Sequence, residues 1–180
     1  VTLVAANVAL SAPSGVRRID VETASELANA LGREFESADV LVMAAAPADF
    51  RPKQPADEKI HRDGTSGFEL DLEATEDILA ILAARRREGQ TIVGFAAETD
   101  AGLDRAREKL ERKGADAIVL NNVSRREIGF ESTENEVVIV ERDGKHHVPF
   151  ASKATIADAI LDRIEAIRSG SGAQRTEAGE

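Results

Sequence analysis

The sequence contains no cysteine, no tryptophan and no tyrosine, and its aromatic content of 3% comes from six phenylalanines alone. Without cysteine the chain can form no disulfide, no thiolate metal site and no thiol nucleophile of its own, a composition that fits a reducing cytosol. Positive charge is also scarce. Lys and Arg number 23 against 33 Asp and Glu, a formal net charge of −10 at pH 7. A field of that sign repels phosphate backbones and anionic membrane surfaces, so a nucleic-acid or lipid role would require a local basic cluster strong enough to override it. Arg85-Arg86-Arg87 is the only such run, and Glu88 follows it directly. Long hydrophobic runs are missing too. The longest nearly apolar stretch, Ile78 to Ala84, falls well short of the roughly 20 residues of a membrane span. No basic start followed by an apolar stretch suggests a signal peptide. These absences predict a soluble, cytoplasmic protein with no nucleic-acid and no membrane partner.

What is present suits an ordinary domain. The 180 residues are 42% apolar, enough to close a core, and their number matches the roughly 100–200 residues of one domain. Short β-branched runs alternate with amphipathic stretches, the pattern of βα units on a mostly parallel sheet. Strands are predicted at about Val1 to Val8, Asp39 to Ala45, Thr91 to Ala96 and Ala117 to Leu120. The first helix starts near Thr23, where Thr23 and Glu26 have capping-box spacing and Leu27, Leu31 and Phe35 repeat on one face. A second opens at Thr75, with Glu76 and Asp77 in its first turn, and buries Ile78, Leu79 and Leu82. A third spans about Ala101 to Lys113 and ends at Gly114, which can take the left-handed cap conformation.

The last third changes character. Glu136 to Glu141 and Lys145 to Phe150 read as a hairpin joined through Asp143-Gly144. Ser152 then caps a helix carrying Ile156, Ile160, Ile164 and Ile167, and residues 169–180 form a polar tail with too little apolar surface to order itself. The predicted architecture is therefore α/β: a Rossmann-like, mostly parallel sheet with helices on both faces and a C-terminal antiparallel β-hairpin extension. One long irregular piece, Arg51 to Gly67, reads as a lid.

In such sheets ligands bind beyond the carboxyl ends of the strands. After the second predicted strand comes Met43-Ala44-Ala45-Ala46-Pro47-Ala48-Asp49-Phe50. Its small side chains let a ligand approach the backbone, and Asp49 can hold a magnesium ion or a sugar hydroxyl; alternatively, the alanines pack and Asp49 caps a turn. Lys59, in Glu58-Lys59-Ile60-His61-Arg62, can close over a phosphate, or simply be solvated. Gly94-Phe95-Ala96-Ala97-Glu98-Thr99 offers a flat ring to a sugar or base, against the simpler reading of Phe95 as core. Lys109 and Lys113 lie on one helix face. They are either a clamp on a polyphosphate or, with Glu108 and Glu111 beside them, a salt-bridged solvent face. His61, His146 and His147 make no metal site, because adjacent strand residues point to opposite faces. There is no Gly-x-Gly-x-x-Gly after a strand, no Walker loop and no nucleophile elbow.

Several segments, in order, carry a more specific signal: Val1-Thr2-Leu3-Val4, Met43 through Arg51, Glu58-Lys59-Ile60, Asp77-Ile78-Leu79, Val93 through Thr99, Lys109 and Lys113 with Gly114, Asn121-Asn122-Val123-Ser124, and Gly129-Phe130. At these spacings the chain resembles the phosphopantothenoylcysteine synthetase family, the synthetase domain of the bacterial bifunctional coenzyme A biosynthesis protein. The resemblance runs from Val1 to about Arg168. It implies a ligase that activates the carboxylate of 4′-phosphopantothenate with CTP and magnesium to an acyl cytidylate, which the amine of cysteine then converts to the amide. Carried over by position, Lys59 stabilises the activated carboxyl, and Lys109 with Lys113 holds the triphosphate. Met43, Ala44 and Ala45 present backbone groups to the nucleotide, with Asp49, Phe95 and the loop Thr75, Glu76, Asp77 and Ile78 beside it. Ala46 meets the acyl substrate. A homodimer through the antiparallel extension is implied as well.

Departures from the family pattern are specific. Lys-Ile-Lys-Lys is replaced by Lys59-Ile60-His61-Arg62, Asn-Pro-Asp-Ile by Thr75-Glu76-Asp77-Ile78, and Asn-Asp-Val-Ser by Asn121-Asn122-Val123-Ser124. The family's first strand and Gly-rich turn do not precede Val1, so residues 1–168 are expected to be an N-terminally incomplete nucleotide-binding ligase domain. A catalytically silent nucleotide-binding or assembly module and a Rossmann-like oxidoreductase relative are the competing readings.

Overall fold

The computed structural model describes residues 1–56, 58–61, 67–98, 102–122 and 133–176. The elements are β1 (Thr2–Ala6), β2 (Arg17–Val21), α1 (Ala24–Phe35), β3 (Val40–Met43), β4 (Phe50–Pro52), β5 (Leu72–Ala74), α2 (Ile78–Arg85), β6 (Thr91–Glu98), α3 (Gly102–Lys113), β7 (Ala117–Asn122), β8 (Glu134–Glu141), β9 (Gly144–Ser152) and α4 (Lys153–Thr176). The central sheet has the order β3-β6-β7-β8-β9. Its first three strands are parallel, and β8 and β9 extend it antiparallel. β1 and β2 form a separate parallel pair, and β4 and β5 a short antiparallel ribbon.

Period-two alternation along the central strands builds two cores. Ile92, Ile118 and Val140 point to one face, where they meet Leu27, Leu31 and Phe35 of α1, Ile78, Leu79 and Leu82 of α2, and Ala106 and Leu110 of α3. Val93, Val119 and Ile139 point to the other, against Ile156, Ile160 and Ile164 of α4. Those six strand residues are the largest fully buried side chains, each contributing about 1.5–3 kcal/mol through burial. Covering both faces explains why these strands read as continuous apolar runs. The expected mostly parallel sheet with helices on both faces and a hairpin extension is the fold. Among the described residues, no helix is long and apolar enough to cross a membrane.

Local signals account for several boundaries. The Thr23 hydroxyl accepts from the Glu26 amide at 3.1 Å, and the Glu26 carboxylate accepts from the Glu22 and Thr23 amides. These backbone bonds, that of Glu22 foremost, hold the Glu26 carboxyl below its usual range. Gly114 closes α3 with φ +62, a conformation cheap only for glycine. Ser152 accepts from the Thr155 amide and caps α4 as expected.

Other boundaries differ from the sequence reading. β2 was not expected: of Arg17–Val21 only Ile19 and Val21 feed the core, while Arg18 folds back onto Asp20 and donates to the Val8 and Leu10 carbonyls. The segment from Arg51 does not start irregular, because Arg51 and Pro52 lie in β4, pinned to β5 by Arg51–Glu73 at 2.7 Å. α2 opens with Asp77 as N-cap rather than at Thr75. β3 stops at Met43, before the alanines, whereas β6 continues to Glu98. In the hairpin Glu141 pairs with Gly144, so the two-residue turn is Arg142-Asp143 and Gly144 already belongs to β9. The backbone from 169 to 176, expected within a polar tail, continues α4. Residues 123–130, which hold Val123-Ser124 and Gly129-Phe130, lie outside the described residues.

Candidate functional site

The site grows from the carboxyl ends of β3 and β6, adjacent and parallel, with Met43 opposite Gly94. Gly94 is needed where it is: a Cβ there would stand 2.7 Å from Leu79 Cδ2 and 3.0 Å from Ile118 Cδ1. The Met43 side chain is buried in the core on the α1–α3 side, so only its backbone faces the loop. Ala44, Ala45 and Ala46 are exposed beyond it, and Asp49 is exposed at the end of the turn.

Thr75 joins this loop to the start of α2. Its hydroxyl donates to the Ala48 carbonyl at 2.6 Å and its amide to the Asp49 carbonyl at 2.9 Å. Two residues on, Asp77 caps α2 by accepting from the Ala80 amide at 3.2 Å, and its second oxygen accepts from the Lys113 ammonium. Burial acts to raise the Asp77 pKa. The Lys113 hydrogen bond, the Ala80 amide and the charges of Lys113 and Arg112 outweigh it, so the carboxyl lies below its ordinary value. Each partner also suits its own helix, the acid at the positive end of α2 and the lysine at the negative end of α3.

Lys109, one turn earlier on α3, donates to the Phe95 carbonyl at 2.7 Å. Neither lysine faces open solvent: Lys109 is half-buried, and the Lys113 side chain keeps only 17% of its exposure. Their ammonium groups turn inward, onto a strand carbonyl and a helix cap. Phe95 contributes that carbonyl. Its ring follows the strand alternation onto the same face as Val93 and packs against the α4 core, so the ring is not placed beside α2. Ile78, the first residue of α2, is likewise buried core.

The structure thus ties Thr75 to the Ala48 and Asp49 carbonyls, joins Asp77, two residues on, to Lys113, and pairs Lys109 with the Phe95 carbonyl. Lys59 stands apart, exposed and without an ion pair or hydrogen bond among the described residues. Two features escaped sequence reasoning. A small cleft of about 120 Å³ lies between the first turns of α1 and α2, lined by Ala24, Ser25, Ala28, Arg51, Thr75, Glu76 and Ile78. Its signal was the cluster of small residues just after the Thr23 cap. At the far end of β7, the Asn121 side-chain oxygen is buried with no partner among the described residues.

Among the described residues no three His, Cys, Asp or Glu side chains gather as a metal site. Magnesium usually keeps several waters and binds through substrate phosphates with one or two carboxylates. The exposed Asp49 fits that requirement as a protein donor. His147 pairs with Glu136 at 2.7 Å on the hairpin, away from these groups.

Residues 1–167 match the family described as the DNA/pantothenate metabolism flavoprotein C-terminal domain. The chain is 41% identical over 177 residues to the coenzyme A biosynthesis bifunctional protein CoaBC of Mycolicibacterium smegmatis, covering 92% of this chain and 42% of that protein. To the protein of the same name from Vibrio cholerae it is 37% identical over 165 residues, with 91% and 41% covered. A solved structure of the C-terminal domain of CoaBC superposes with a TM-score of 0.75 at 30% identity, covering 94% of this chain and 74% of that one. The chain therefore spans less than half the length of the curated relatives it matches.

Proposed function

This chain belongs to the family of DNA/pantothenate metabolism flavoprotein C-terminal domains, and on that premise we propose that it performs ligase chemistry in coenzyme A biosynthesis, joining 4′-phosphopantothenate to cysteine with CTP in the cytoplasm. The observation that carries the reading is the convergence of the Asp49 loop, the start of α2 and the two inward-turned lysines of α3 at the carboxyl ends of β3 and β6.

In the first half-reaction a carboxylate oxygen of 4′-phosphopantothenate attacks the α-phosphorus of CTP. The bond to pyrophosphate breaks, leaving an acyl cytidylate. In the second, the cysteine amine attacks the acyl carbon, CMP departs and the amine loses a proton. Charge develops on phosphate oxygens in both, and cations fixed in advance stabilise it best. Lys113 and Lys109 supply such cations, and the Ile78 and Leu79 amides at the start of α2 supply N–H donors, the Ala80 amide being taken by Asp77. Exposed Ala44 and Ala45 leave their backbone open to the nucleotide, and Ala46 does so for the acyl chain. Lys59, unanchored, is suited to follow the activated carboxyl. Magnesium, when bound, offsets triphosphate charge, with Asp49 as the available carboxylate. The hairpin β8–β9 leaves β9 as the sheet edge with Phe150 exposed, which favours pairing with a second copy.

The test uses the natural protein with CTP, magnesium, 4′-phosphopantothenate and cysteine. Stoichiometric release of pyrophosphate and CMP with amide formation is expected, and Lys59→Ala should slow pyrophosphate release by about 10²-fold. Heat of CTP binding without any pyrophosphate release would overturn the ligase and favour a silent nucleotide-binding module.

A further inference from the structure

We propose that Asp77 is a positioning residue that holds the Lys113 ammonium at the start of α2, so that the cationic end of the nucleotide site is formed before the nucleotide arrives. The proposal rests on the ligase reading and deepens it.

A lysine is a point charge on a four-carbon stem, and left alone it samples many positions. Lys113 does not. Its stem is largely buried between α2 and α3, and its head is bound to one oxygen of Asp77. The other oxygen of Asp77 is itself fixed by the Ala80 amide. The cap therefore works in two directions at once, ordering the first turn of α2 and fixing a charge that belongs to α3, 36 positions away. The segment just before it is tied down as well, through the two bonds of Thr75 to the loop after β3. One ammonium proton goes to Asp77 and two remain for an incoming oxygen anion. The Ile78 and Leu79 amides, not used by the cap, lie in the same turn. Asp77 thus costs the site some positive charge and returns a fixed position for what remains.

A bland ion pair would do no more than hold α2 to α3, and the experiment separates the two. Asn and Ser cap helices about as well as Asp but carry no charge, so Asp77→Asn and Asp77→Ser in the natural protein keep the helix start and release Lys113. Steady-state kinetics should show KM for CTP raised about 3- to 10-fold, with kcat and KM for cysteine changed less than about 2-fold, the signature of lost ground-state positioning. In a Lys113→Ala background the same substitutions should add nothing to KM for CTP, because partners in one interaction are not additive. An unchanged or lowered KM for CTP in both Asp77 variants, with Lys113→Ala still raising it, would overturn the positioning role while leaving the ligase intact. A further rise in the Lys113→Ala background would overturn it too. No effect of Lys113→Ala on KM for CTP would take the nucleotide away from α3 and overturn the positioning role as well, while the turnover from which KM is read leaves the ligase intact.

Discussion

Asp116, in the turn between α3 and β7, offers a quantitative test of how the sheet is held beneath the site. Both its carboxylate oxygens accept from Arg86 Nη1, at 2.9 and 2.8 Å, and one of them also accepts from the Ile92 amide at 2.8 Å. Its own amide donates to the Ile92 carbonyl, so side chain and backbone together extend the ladder by one rung. Ile92 is fully buried. Asp116→Ala strands that buried N–H, at a cost of about 1–3 kcal/mol. It also removes the partner of Arg86. A fully buried pair broken on one side costs about 3–5 kcal/mol, but with Arg86 31% and Asp116 22% exposed solvent reduces this to about 1 kcal/mol. The total is about 2–4 kcal/mol. Asp116→Asn keeps an oxygen for the Ile92 amide and loses the charge alone, about 1 kcal/mol. At about 2–4 °C per kcal/mol for a domain of this size, calorimetry should show Tm lowered by roughly 4–16 °C for Ala and 2–4 °C for Asn. Urea midpoints should fall in the same order at unchanged slope. An Asn variant as damaged as the Ala variant would refute the ladder argument.

Two further perturbations probe the region nearer the chemistry. Gly94→Ala places a Cβ 2.7 Å from Leu79 and 3.0 Å from Ile118, and because both neighbours are buried the overpacking should destabilise by about 1–3 kcal/mol; a urea midpoint equal to or above the parent's would show that Leu79 yields freely. Asp77 titrates below its usual value in the fold, so its stabilising effect should be complete above the ordinary carboxylate pKa of about 3.9 and fade as pH falls through the depressed one. The stability gap between the parent and Asp77→Asn should accordingly shrink on acidification from about pH 7 to about pH 3.5, and a gap independent of pH would exclude the ion pair as its source.

The features visible in the sequence were those written locally. The Thr23 and Glu26 capping box, Gly114 after α3 and the isoleucine series of α4 each need only neighbours within a turn or two, and each is where it was expected. β2 was missed for a physical reason: Arg18 is satisfied by Asp20 and the loop before it and Arg17 by Glu34 and Thr2, so only two positions show hydrophobic patterning. The ribbon β4–β5 was missed similarly, since it is held by Arg51–Glu73 and Lys53–Asp71 rather than by a buried face. For the site, residue identity was legible and direction was not. Lys109 and Lys113 were recognisable as neighbours on one helix face, yet whether that face met water or protein depended on Phe95 and Asp77, far away along the chain. Phe95 shows the same limit, because strand alternation counted from Val93 places its ring, and that count depends on the strand's register.

The acidity of the chain takes on a particular meaning at this site. A protein of net charge −10 does not steer a triphosphate from a distance; at physiological ionic strength charges beyond about 8 Å are largely screened, and attraction must come from groups in near contact. Fixed position then matters more than number. Under the ligase reading, the lysines divide accordingly. Lys109 and Lys113 are anchored from α3 to a strand carbonyl and a helix cap, which suits them to a ligand whose charge is present from the start. Lys59 is exposed on the segment after β4, which suits it to charge that appears only as the carboxyl is activated. Anchored cations lower the entropy lost on binding, and an unanchored one is free to move as the reaction proceeds. Ionic strength should therefore affect the exposed lysine's contribution more than that of the partly buried pair.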